Sequence, residues 1–115
     1  MSRELVHEMY RVVDDRAWEA LTRFYSENCC YERPGFPLIV GRAGLLEFYR
    51  NVRPIKSGTH RLHAVLEDRE SLCAVGLFSG VLRSGRRIEL EFSDFYRMSS
   101  GLIACRKTYF FTALV

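Results

Sequence analysis

The spacing of apolar positions changes character once along the chain. Up to about residue 53 the apolar residues recur at helical intervals, and beyond Ser57-Gly58 they alternate with polar ones. Leu5, Met9, Val12 and Val13 mark a first helix with Tyr10 beside its stripe, and Asp14-Asp15 interrupts it. Ala17, Trp18, Leu21, Phe24 and Tyr25 predict a second helix running to about Ser26 or Glu27 and closed by Asn28. A short run of strand formers then ends at Arg33-Pro34-Gly35 and the chain reverses. Gly41 opens a third helix with Leu45, Leu46, Phe48, Tyr49 and Val52 on its apolar side, stopped by Pro54. Four long alternating runs follow, at 59–67, 71–82, 87–98 and 102–114, and the polar spacers between them suit hairpin turns. This order predicts an α+β fold, with three N-terminal helices packed on one face of a curved antiparallel sheet as a cone-like barrel. Residues 1–115 read as a single domain.

Three places depart from that regularity. In the run from Ile88, one face carries Ile88, Leu90, Phe92, Asp94, Tyr96 and Met98, so an aspartate stands among apolar neighbours. Such a group must find a partner or be held neutral, because burial of a lone carboxylate raises its pKa. In the last run neither face is clean: Arg106 and Thr108 share parity with Phe110, and Lys107 shares it with Tyr109 and Phe111. Glu32, beside the Pro-Gly turn, is placed at a strand end from which it can point into a cavity. The ordinary alternative is a solvated glutamate at a strand edge.

Composition narrows the picture. The formal charge of +3 comes from 17 basic and 14 acidic residues spread along the chain. The one dense basic cluster, Arg83-Ser84-Gly85-Arg86-Arg87, reads as a solvated hairpin loop, so no nucleic-acid partner is expected. The aromatic share is high, as an aromatic-lined cavity or a heavy core requires. Cys29, Cys30, Cys73 and Cys105 show no C-x-x-C spacing and read as reduced core residues. No apolar run reaches membrane-spanning length and the charged start lacks a signal-peptide core, which predicts no membrane partner and a cytoplasmic protein. His60 and His63 fall on opposite strand faces and His7 is remote, so no metal site is expected and His60 reads as a sheet or pocket-wall residue.

The element order, together with Asp94-Phe95-Tyr96-Arg97-Met98, Gly101-Leu102-Ile103 and Arg106-Lys107-Thr108-Tyr109-Phe110, resembles the nuclear transport factor 2-like superfamily, in its ketosteroid isomerase and SnoaL-type polyketide cyclase branch. The resemblance implies catalytic roles for three residues. Tyr10 falls on the oxyanion-donating tyrosine, Glu32 on the catalytic base and Asp94 on the neutral acid that is the second oxyanion donor. Phe48 and Phe110 fall on apolar pocket-lining positions, and Tyr96 and Arg106 join them as substrate-binding candidates. Three departures stand out: glutamate replaces the family's aspartate, Arg33 is inserted before the Pro-Gly turn and could rotate the carboxylate outward, and Arg106 occupies an apolar position. An inward Arg106 would pair with Asp94 or Glu32 and hold it ionised, and an ionised Asp94 cannot donate to an oxyanion.

The implied function is a small isomerase or cyclase working without a cofactor, by proton abstraction next to a carbonyl of an apolar small molecule such as a steroid-like compound or polyketide. A non-catalytic ligand-binding or dimerisation module of the same fold is the alternative, and epoxide hydrolase-like water activation a lesser one. A homodimer formed through the open sheet face is expected in either case. A solvent-exposed Glu32, or a solid interior at Asp94, would remove the mechanism built on them.

Overall fold

The structure is a computed structural model that describes residues 2–113. Helix α1 (Ser2–Asp14) buries Met9 and Val13 of the expected stripe together with Val6 and Tyr10, while Leu5 and Val12 are half-buried at its margin. Helix α2 is only Trp18–Thr22, shorter than expected, because Tyr25 already belongs to strand β1 (Tyr25–Glu32). Strand pairing explains the early stop. Tyr25 is in register with Ile103, the Ile103 amide donates to the Phe24 carbonyl at 2.9 Å, and the Tyr25 ring is fully buried.

After the Pro-Gly turn, the two-residue strand β2 (Ile39–Val40) leads into α3 (Gly41–Glu47), which continues as a π-helical turn over Phe48–Val52. The Arg53 amide closes that turn on the Phe48 carbonyl at 2.8 Å. Pro54 forces extended backbone on Arg53 (φ −55°, ψ 127°), so the helix ends there. Strands β3 (Ile55–Asp68), β4 (Ser71–Leu82), β5 (Arg87–Ser99) and β6 (Leu102–Phe111) follow, joined at the three expected turns. The Arg83–Arg87 cluster is indeed a hairpin loop, with the Leu82 amide bonded to the Arg86 carbonyl at 2.8 Å. Leu114, the expected end of the last strand, lies outside the described residues.

The six strands form one curved sheet in the order β2-β1-β6-β5-β4-β3. It is mixed and not purely antiparallel as expected, because β1 runs parallel to β6. The helices cover its concave face, and the core is the space between. Two bulges re-aim side chains. An extra residue on β3 between Leu62 and Ala64 changes parity, so Val65 packs inward and Leu66 is 64% exposed. A second extra residue, on β6 opposite Arg97 and Met98, lets Ile103 and Arg106 both face the interior. That bulge accounts for the mixed faces of the last strand.

One expectation about the cysteines fails. Cys30 and Cys105 are partners in the β1/β6 register, 4.6 Å apart at Cα, and are joined by a disulfide. Their proximity comes from the parallel pairing of strands distant in sequence, which spacing does not reveal. Cys29 and Cys73 are free, as expected.

Candidate functional site

The interior polar cluster is built on Asp94 of β5, whose side chain is 1% exposed. Arg106 of β6 donates from Nη2 to Oδ2 at 2.8 Å, the Tyr10 hydroxyl of α1 donates to the same oxygen, and Thr108 donates to Oδ1. The Tyr96 hydroxyl donates to that of Tyr10 at 2.6 Å. Arg106 extends the network from Nη1 to the hydroxyls of Tyr25 at 3.1 Å and Tyr49 at 3.0 Å, and its guanidinium lies 4.6 Å from the Tyr31 ring centre. Burial on its own would raise the Asp94 pKa, but the Arg106 charge and the donors from Arg106, Thr108 and Tyr10 outweigh it and hold the carboxyl below its ordinary value. Asp94 is therefore an ionised acceptor. The neutral, hydrogen-bond-donating acid implied by the resemblance does not fit this environment, and Tyr10 is committed to the carboxylate instead of a ligand.

Glu32 is exposed on the outer side of β1, in register with Lys107. The expectation that it points into the cavity is corrected by strand parity: Tyr31 is fully buried, so its successor faces out and Arg33 turns in. Arg33 Nη1 donates to the Tyr31 hydroxyl at 3.3 Å, and its guanidinium sits 5.4 Å from the ring centres of both Phe48 and Phe110. An arginine thus stands where a carboxylate was expected.

The second polar element went unrecognised as a site in the sequence. Asp14, at the C-terminal end of α1, accepts from the His60 backbone amide at Oδ2 (2.9 Å) and holds His60 Nδ1 at 2.6 Å from Oδ1. The His60 side chain is 8% exposed and its ring lies among Phe78 (4.7 Å), Tyr10 (5.0 Å) and Phe92 (5.4 Å). Burial lowers the His60 pKa against the opposing pull of Asp14, so the imidazole is neutral at neutral pH. With Nδ1–H given to Asp14, Nε2 carries the free lone pair. Among the described residues Nε2 has no hydrogen-bond partner.

These groups meet at a small cavity of about 20 Å³, room for roughly one water, whose wall includes Asp94, Arg106, Thr108, His60, Arg53 and Phe110. Of the expected site residues, Asp94, Arg106 and Phe110 reach it, while Tyr10, Tyr96 and Phe48 pack behind its wall. An outer groove of about 400 Å³ lies next to it, lined by Glu32, Phe36, Leu38 and Tyr109 and sharing Arg33, Thr108 and Phe110 with the cavity. A larger hollow of about 680 Å³ around Gly58 and Gly80 is lined by none of these polar groups. Among the described residues, no three His, Cys, Asp or Glu side chains converge as metal ligands, and no helix is long and apolar enough to cross a membrane.

The SnoaL-like domain family model matches residues 6–106. The chain belongs to that family. Its fold is shared with many solved structures. SalBIII, an epoxide hydrolase/cyclase-like enzyme of pyran ring formation in the polyether salinomycin, is 18% identical, with a TM-score of 0.83 over 96% of this chain and 91% of that one. A candidate ketosteroid isomerase from Kribbella flavida is 23% identical (TM-score 0.78, 99% and 80% covered). A candidate polyketide cyclase from Xanthomonas campestris is 18% identical (TM-score 0.79, 94% and 88% covered). Identities this low establish the nuclear transport factor 2-like fold and leave the reaction open. No curated protein matches the sequence.

Proposed function

We propose that this SnoaL-like domain is a cofactor-independent isomerase or cyclase that removes a proton next to a carbonyl of an apolar small molecule, with His60 as the base. The observation that carries this reading is the neutral His60, fixed through Nδ1 by Asp14 and lacking a partner at Nε2 on the wall of the inner cavity. A base of this kind needs an uncommitted lone pair, and an imidazole fixed through Nδ1 with Nε2 unpartnered supplies one. The negative charge that develops on the substrate oxygen would be met by the guanidiniums lining the same cavity. Asp94 and Arg106 serve as the rigid floor of the site.

The test is exchange of the α-protons of β-tetralone in deuterium oxide, followed by NMR. His60→Gln is expected to slow exchange by roughly 10²-fold or more, while Glu32→Gln leaves it unchanged. Exchange that survives His60→Gln and disappears with Glu32→Gln would overturn the assignment.

A second reading is favoured by the ionised Asp94 beside a cavity of about 20 Å³: the carboxylate would activate one water to open an epoxide. Turnover of neither a ketone nor an epoxide would leave a ligand-binding domain. Association as a homodimer belongs to the same proposal, supported by Val75, Phe95, Tyr109 and Phe111, which are 39–81% exposed on the outer sheet face. Light scattering reads the mass directly.

A further inference from the structure

The inner cavity carries more positive charge than one developing oxyanion calls for. Three guanidiniums, Arg33, Arg53 and Arg106, line it against the single carboxylate of Asp94, and Arg106 is already spent on that carboxylate. Arg53 is 4% exposed, as buried as Arg106, and the Nε of each is buried without a partner, yet among the described residues Arg53 alone of the two has no hydrogen bond or ion pair from any side-chain atom. Its neighbours are ring faces, Tyr49 at 5.1 Å and Phe78 at 5.8 Å. Arg33 makes one bond, to the Tyr31 hydroxyl, and its Nε is unsatisfied as well. Natural interiors rarely keep a buried charge without a counter-ion. Aromatic faces compensate such a charge only partly.

We propose that the cavity receives the carboxylate of a small amphiphilic ligand between Arg53 and Arg33, with the ligand's apolar body lying in the outer groove. The groove supplies Phe36, Leu38 and Tyr109 for that body. Arg33 and Phe110 line both spaces and form the partition between them. A water-sized cavity takes a carboxylate only if the partition yields, and Arg33, held by one hydroxyl and two ring faces, is the side chain free to swing onto the incoming anion. Guanidinium forks suit carboxylates because two parallel N–H donors match the two oxygens. Burial pulls the Arg53 pKa down to about 10, which still leaves it a cation at neutral pH. The proposal names the substrate class for the function above and rests on that reading only for turnover.

The experiment is calorimetric titration with phenylacetate and with phenylacetamide, its neutral analogue. Phenylacetate is expected to bind with one-to-one stoichiometry and to raise Tm, and phenylacetamide to bind at least tenfold more weakly. Arg53→Met should lose at least tenfold in phenylacetate affinity and at the same time resist urea better than the wild type, since an unpaired charge has been removed. Arg33→Met gives the same binding readout if Arg53→Met does not fold. Equal affinity for acid and amide, no binding of either, or wild-type phenylacetate affinity in both arginine variants would overturn the proposal. Phenylacetate is read without turnover and β-tetralone carries no charge, so either experiment can fail while the other succeeds.

Discussion

Asp94 lines the inner cavity and Asp14 lies behind its wall, bonded to the cavity-lining His60, and the two carboxylates are used in opposite ways. Asp94 is wholly inside, and its oxygens are taken by an arginine, a threonine and a tyrosine that no ligand has to displace. Asp14 sits at a helix end, half-buried, and gives both oxygens to one residue, His60, whose other ring nitrogen remains unpartnered. The first arrangement joins α1, β5 and β6 through charge-assisted bonds that occupy both oxygens of the carboxylate. The second transmits its charge to a group that can take up a proton. A buried, perturbed carboxylate is therefore not in itself the mark of chemistry; what its partners leave free decides.

The contrast can be broken from either side. Asp94→Asn strands the Arg106 cation and should cost about 3–5 kcal/mol in urea denaturation; a loss below 1 kcal/mol would mean that the cluster is not the scaffold described. Asp14→Asn should cost far less stability but reduce β-tetralone exchange by roughly 10²-fold, because the imidazole tautomer is no longer specified. The expected pH effects are smaller and differ in window. The folded-state pKa of Asp94 is lowered, so its stabilisation is present above the unfolded value of about 3.9 and is lost as pH falls through the folded value. The folded-state pKa of His60 is lowered below 6.5 by burial and by the charges of Arg106 and Arg53, against the pull of Asp14. The unfolded chain therefore takes up the proton first, and stability declines as pH drops from 6.5 toward the folded value. Denaturation at stepped pH should show this decline in the wild type and not in His60→Gln.

The fold was largely legible because its periods are long: the four strands β3 to β6 and their turns follow from alternation even though bulges shift parity within β3 and β6, and α1 follows from its helical spacing. The second helix was misjudged because Phe24 and Tyr25 fit a helical stripe locally, while pairing with Ile103 draws them into a strand. Asp94 was legible from unbroken parity, on an apolar face that the structure buries. The uneven faces of the last strand left the direction of Arg106 open, and the bulge in β6 turns it inward. Glu32 was assigned by resemblance against the parity of its own strand, and Arg33, one residue on, holds the inward position. Asp14 and Arg53 lie at junctions between elements, where no period applies. The pairing of Asp14 with His60 across 46 residues of sequence becomes visible only when α1 lies over β3.

The protonation state of His60 decides whether Nε2 can act as a base, and nitrogen-detected NMR of the imidazole reads it directly at neutral pH. The expected spectrum is that of a neutral ring with the proton on Nδ1 and Nε2 unprotonated. An imidazolium, or the opposite tautomer with the proton on Nε2, would contradict it.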